Sequence, residues 1–314
     1  MEAIASFSAD IPFASLIENT QTAFAKLFEI NRASIEAVPR RTFEYGSDDR
    51  QQLDVYYPSM QASPPKKAPI LVFVYGGGFT TGARVHPEPL SLAYPNVGAF
   101  FASRGFLTVV PDYRLVPTVR YPAPAEDVRD ALAWVVQNTS VIGGNPDADR
   151  IFLVGHSAGG VLASTVLLAP QLDETHTLLP RIKAAVLVGT PFHFNATLPQ
   201  RLPVLDQLYG PVEATKNKEP LGLLASTSDD RVRYLPEIIC VEGEHETVAI
   251  TQSGFDFRAA LEERLAIVGG GKGGWTKVKR IVLDGHNHIS TTWALSSGEG
   301  DEWADKMAER LKAM

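Results

Sequence analysis

Four short segments of this chain hold residue types that together could break an acyl bond. The first is Val154-Gly-His-Ser-Ala-Gly-Gly160, of the form G-x-S-x-G. The apolar run Ile151–Val154 leads into it and a helix-forming stretch follows. That context suits a serine on a sharp strand-to-helix turn, where glycines two residues before and after keep Cβ atoms away and expose Oγ. The new helix aims free N–H groups at negative charge forming nearby. Ser157 is therefore the candidate nucleophile; the competing reading is a glycine turn with no chemical role.

The second segment is Tyr75-Gly76-Gly77-Gly78-Phe79, directly after the apolar run Ile70–Val74. Successive glycines let backbone N–H groups converge on one oxygen, as an oxyanion hole requires. The N–H of Ala158, next to the serine, would join them. Tyr75 and Phe79, which flank the glycines, and His156, beside the serine, are expected at the substrate.

A serine also needs a base, and an acid to orient it. Of the histidines after Ser157 (176, 193, 245, 286 and 288), only His286 and His288 follow the last apolar run. His288 is preferred, with His286 shaping the loop. The acid is sought after Ile238–Val241, in Glu242-Gly-Glu244-His-Glu246-Thr247. Glu246 is the first choice, Glu244 the second and Asp256 the third. A His-x-His pair with glutamates could instead hold a metal; beside an intact serine motif no metal and no organic cofactor is expected.

The elements that must position these residues are legible as alternating patterns. Arg41–Tyr45 and Gln52–Tyr57 alternate apolar with polar residues around Gly46-Ser-Asp-Asp49, which predicts an antiparallel hairpin. Short apolar runs at 70–74, 106–110, 151–154, 184–188, 238–241 and 278–283 predict strands covered on both faces. Helical patterns lie between them, at 90–104, 124–138, 160–168, 252–268 and 300–314. The alternation implies an α/β fold with a mostly parallel sheet and helices on both faces. Residues 1–38 read as an amphipathic helix, and 191–232 as a helical excursion; the two could form a cap over the site. One domain spanning 1–314 is expected. Gly269–Gly274 is a surface loop.

Composition narrows the classes. The chain has 314 residues, 45% hydrophobic and 21% charged, ordinary for a soluble globular protein. A net charge of −7 argues against nucleic acid, and pairs such as Pro65-Lys66-Lys67 read as solvated surface. The lone Cys240 sits in an apolar run, can form no intrachain disulfide and fits the reducing cytoplasm. No apolar stretch reaches the ~20 residues of a membrane-spanning helix, and no secretory signal pattern opens the chain. Asn138-Thr-Ser140 and Asn195-Ala196-Thr197 match the glycosylation triplet and carry little weight without such a signal. The sequence sets no oligomeric state and is compatible with a homodimer.

With these pieces assembled, residues 41–312 resemble the hormone-sensitive-lipase-like esterases of the α/β-hydrolase superfamily. Pro111-Asp-Tyr-Arg-Leu115 and Tyr121-Pro-Ala-Pro-Ala-Glu-Asp127 are similar to that family's stretch between a strand and its following helix. The family usually has His before its three glycines; Tyr75 here is similar to the carboxylesterase and cholinesterase branch, which implies Gly77 and Gly78 as the main loop donors. The resemblance aligns Glu246 with the family's usual Asp, and His288 with its histidine. Gln52–Tyr56 and Asn287-His288 also resemble kynurenine-formamidase-like members. The family implies acyl transfer from small-molecule esters; amide, formamide or lactone cleavage on the same residues, and a non-catalytic ligand-binding relative, are the competing expectations.

Overall fold

The computed structural model describes residues 1–5, 7, 12–59, 67–174, 177–195 and 201–314. Pro65, Lys66, His176, Ala196 and Thr197, named above, lie outside them, as do parts of both proposed cap segments. The chain opens with helix α1 (Phe13–Glu36), the hairpin β1 (Arg40–Glu44) and β2 (Gln52–Tyr56), then β3 (Ala68–Val74). Next come α2 (Pro95–Ser103), β4 (Leu107–Pro111), α3 (Ala123–Gln137), α4 (Thr139–Ile142), β5 (Pro146–His156), α5 (Ala158–Leu168) and β6 (Ile182–Val188). Four short helices follow: α6 (Leu202–Tyr209), α7 (Val212–Lys218), α8 (Pro220–Ser226) and α9 (Asp229–Tyr234). The chain closes with β7 (Glu237–His245), α10 (Val248–Val268), β8 (Lys279–Asn287), α11 (Ser290–Trp293) and α12 (Glu302–Lys312).

The eight strands form one sheet in the order β1-β2-β4-β3-β5-β6-β7-β8. The β1–β2 and β2–β4 pairs are antiparallel and the rest parallel. Every residue of β3 and β4 is buried, as runs without polar alternation require when helices cover both faces. The edges differ: β1 exposes Arg40 and Arg41, and β8 exposes Lys279 and Arg280, charges that discourage edge-to-edge pairing.

Register decides where chemistry can sit. Val74 pairs with Gly155, His156 with Val188, and Val188 with Val241. The carboxyl ends of β3, β5, β6 and β7 therefore lie side by side. In open α/β sheets that rim is where ligands bind.

Boundaries moved where proline intervened. The helix predicted from Leu90 begins at Pro95, after Tyr94 with φ of 74°. Proline suits the first helical turn and disfavours helix for the residue before it. The predicted excursion at 191–232 is cut into short helices in the same way, with Pro203 and Pro220 opening α6 and α8 and Pro211 preceding α7.

Candidate active site

Ser157 stands between β5 and α5 with φ of 52° and ψ of −122°. A non-glycine residue at positive φ is strained, typically by about 1–3 kcal/mol, and persists only where its surroundings enforce it. Three features enforce it here. The Ser157 N–H donates to Val188 O at 2.9 Å, tying the turn to the end of β6. A Cβ on Gly155 would come within 2.6 Å of Gly160 Cα. A Cβ on Gly159 would collide with the Val74 and Tyr75 carbonyls. At the far end of α5, the buried Arg231 donates to the carbonyls of Leu167 and Val166 at 2.7 and 3.0 Å, placing a cation at the helix C-terminus. Burial pulls its pKa down.

The last strand delivers the base. His288 Nε2 lies 2.9 Å from Ser157 Oγ, and its Nδ1 lies 2.7 Å from Glu246 Oε2. A carboxylate only accepts, so Nδ1 carries the proton and Nε2 is free to accept from the serine hydroxyl. Glu246 is almost wholly shielded from solvent, with 1% of its side chain exposed. Glu244 instead accepts from the Gly285 N–H across the β7–β8 edge at 2.8 Å. Asp256 pairs with His193. Burial pushes the pKa of His286 down; its Nδ1 lies 3.2 Å from Ser290 Oγ, and it makes no hydrogen bond to Ser157.

Three supports of this arrangement were not legible in the motifs. Gly189, at φ of 51° beyond β6, faces the acid–base pair, and a Cβ there would sit 2.9 Å from Glu246 Oε2 and 3.0 Å from His288 Nδ1. The Phe13 ring of α1 lies 5.4 Å from the imidazole of His288. Asn287 Nδ2 donates to Thr20 Oγ1 at 2.9 Å, which joins α1 to the loop bearing the base. The first could have been suspected from its place just past a parallel strand. The other two come from a helix far away in sequence.

Gly77 and Gly78 line a cavity of about 660 Å³ that opens over Ser157, together with Ala158, His156, Phe79 and His288. Phe79 meets Phe194 and Tyr209 edge-on at 6.4 Å. Phe13, Ile17, Leu205 and Ile250 continue the wall, so it is largely apolar away from the serine. His156 reaches the cavity, but its Nε2 donates to the His288 carbonyl at 2.8 Å.

Two expectations are corrected. Tyr75 does not reach the cavity: its ring stacks between Tyr94 and Tyr113, and its hydroxyl donates to Asp112 Oδ1 at 2.6 Å. The alternation that turns Val74 one way buries the next side chain beneath the loop. Gly76 likewise lies behind the lining; a Cβ there would stand 2.9 Å from Ser157 Cβ, so its part is close approach. The Pro111–Leu115 stretch braces the same loop. Arg84 N donates to Asp112 Oδ1 at 2.6 Å, and Tyr113 Oη donates to Tyr75 O at 3.1 Å.

Comparison with known proteins follows the same outline. The BD-FAE family matches residues 53–196, from β2 through the serine turn and β6. Esterase LipC of Mycobacterium tuberculosis is 28% identical over 228 residues, covering 70% of this chain and 54% of that protein. Isoprenylcysteine alpha-carbonyl methylesterase ICME of Arabidopsis thaliana is 33% identical over 135 residues, 43% of this chain and 29% of that one. The chain thus spans about half of the first and under a third of the second. Among solved structures, the carboxylesterase EstE1 from a metagenomic library superposes with a TM-score of 0.67 at 21% identity, over 93% of this chain and 96% of that one. The mostly parallel sheet with helices around it, superposing almost end to end on that esterase, gives the chain the α/β-hydrolase fold.

Proposed function

We propose that this chain is a serine hydrolase of the hormone-sensitive-lipase-like type, cleaving carboxylic esters of small to medium acyl chains. The observation that carries the reading is the single imidazole of His288 placed between Ser157 Oγ at 2.9 Å and Glu246 Oε2 at 2.7 Å. That spacing suits a base that takes the serine proton while the carboxylate holds its tautomer and steadies the cation that forms.

The steps follow. Ser157 Oγ attacks the ester carbonyl as His288 Nε2 takes its proton. The N–H groups of Gly77, Gly78 and Ala158 face the oxyanion; one such donor is worth on the order of 3 kcal/mol in the transition state. His288 returns the proton to the leaving alcohol, and an acyl-enzyme remains. Water, deprotonated by His288, attacks the acyl-enzyme and frees the acid and the serine. No metal and no organic cofactor enters these steps.

Helix α1 and the described part of residues 191–232 act as the cap, since side chains from both line the cavity. We place the protein in the cytoplasm, on the strength of a lone cysteine buried in the core. Among the described residues no helix is long and apolar enough to cross a membrane.

The test is a chain-length series of p-nitrophenyl esters on wild type and Ser157→Ala, beside N-formylkynurenine. Turnover of short and medium esters, lost in the variant, is expected. Equal rates in both proteins would remove the hydrolase reading, and a strong preference for the formamide would move it to an amidase.

A further inference from the structure

Among the described residues the cavity wall carries no Asp or Glu, and Arg201 is its one side chain with a permanent charge. No hydrogen bond or ion pair engages the Arg201 guanidinium within the described residues. The rest of the described wall is mostly apolar, and Arg201 is itself exposed to solvent at the edge of the cavity. Its place is specific. Arg201 precedes α6, and its Cζ lies 3.5 Å from the point where a Cβ on Gly78 would stand. The guanidinium therefore hangs beside the glycine loop, next to the position a scissile carbonyl takes over Ser157.

A guanidinium offers a planar pair of donors that matches a carboxylate in geometry as well as in charge. We infer that the substrate carries a carboxylate a few bonds from its scissile carbonyl, held by Arg201: a half-ester of a short dicarboxylic acid. This rests on the reading of Ser157 as nucleophile, because the distance to the carbonyl is counted from that residue. The apolar remainder of the cavity takes the alcohol portion.

The experiment compares monoethyl glutarate with ethyl pentanoate by pH-stat, in wild type, Arg201→Gln and Arg201→Lys. The two esters differ in the terminal carboxylate. Wild type is expected to favour the charged ester in kcat/KM. Arg201→Gln should lower that preference by about two- to fivefold, the size of one solvent-exposed charge pair, and Arg201→Lys should restore part of it. A second arm uses Ser157→Ala and titration calorimetry with 5-oxohexanoate and 2-hexanone, a charged and an uncharged ketone that cannot be hydrolysed. The charged ketone should bind more tightly, and the added Arg201→Gln change should erase the difference. A wild-type preference near one, or a preference untouched by Arg201→Gln in both arms, overturns the inference. If neither ester is cleaved while the calorimetric difference holds, the hydrolase reading fails and the anion site stands.

Discussion

The imidazole Nε2 of His156 lies 2.8 Å from the backbone carbonyl of His288, and the two rings are 5.0 Å apart. The residue beside the candidate nucleophile thus holds the chain segment that bears the candidate base. A carbonyl only accepts, so Nε2 carries the proton of His156. Its Nδ1 is buried with no partner among the described residues. A second proton on this ring would have neither solvent nor an acceptor.

Acid stability should report that constraint. Burial, then the neighbouring His288, pushes the pKa of His156 down to about 3. An imidazole in the unfolded chain titrates near ~6.5. Between those values the unfolded chain binds a proton that the folded chain does not. Stability from this group is therefore complete above about pH 6.5 and is lost as pH falls toward 3. Burial moves His86 and His286 in the same direction. Urea unfolding at pH 7.5 and 5.0 should show a loss of about 2 kcal/mol from His156 alone. His156→Gln should flatten the pH dependence by that amount; a slope equal to wild type would contradict it.

Paired substitutions distinguish the competing acids and bases. Glu246→Gln leaves the shape intact but allows the wrong tautomer on His288, and should lower kcat by about 10⁴-fold. Glu244→Gln, at a carboxylate that holds Gly285 at the sheet edge, should change kcat little. His288→Ala should be as damaging as Ser157→Ala, whereas His286→Ala should cost stability and leave turnover near wild type. Steady-state kinetics on purified, folded variants decides; a larger loss in Glu244→Gln or His286→Ala would reverse the assignment.

Gly189→Ala probes the wall behind the acid–base pair. The new methyl would stand 2.9 Å from Glu246 Oε2, at a φ of 51° that a side chain rarely adopts. The pair must shift, and misplacement by about 1 Å can cost about 10²-fold. A fall in kcat of about ten- to a hundredfold with little change in KM is expected. Wild-type kcat in the variant would mean that the pair yields freely.

Tyr75→Phe separates scaffold from substrate contact. The hydroxyl donates to Asp112 and accepts from Arg50 at 3.0 Å, and the ring is fully buried. Its removal should cost about 1–3 kcal/mol by leaving Asp112 short of a donor. KM for short esters should hold, since the ring does not border the cavity. A raised KM with unchanged unfolding would place the hydroxyl at the substrate after all.

By itself the amino-acid order determined what is local. The strands came from contiguous apolar runs, because a strand buried on both faces leaves no other pattern. The serine turn was legible because its glycines answer a steric need within six residues. The glycine loop was legible because it directly follows the strand that aims it. Choices between near neighbours needed the tertiary structure. Glu244 and Glu246 are two residues apart, and their directions depend on where β7 stops: Glu244 remains at the β8 edge, while the chain folds back at Glu246, whose N–H donates to Gly243 O at 3.2 Å. His286 and His288 divide in the same way, one turned toward Ser290 and one toward Ser157. Tyr75 was misread because a glycine motif does not say which face of the sheet the residue before it meets. Phe13, Gly189 and Arg201 carry no motif at all. They meet around Ser157 only because parallel strands bring their carboxyl ends to one rim and helices far apart in sequence close over it.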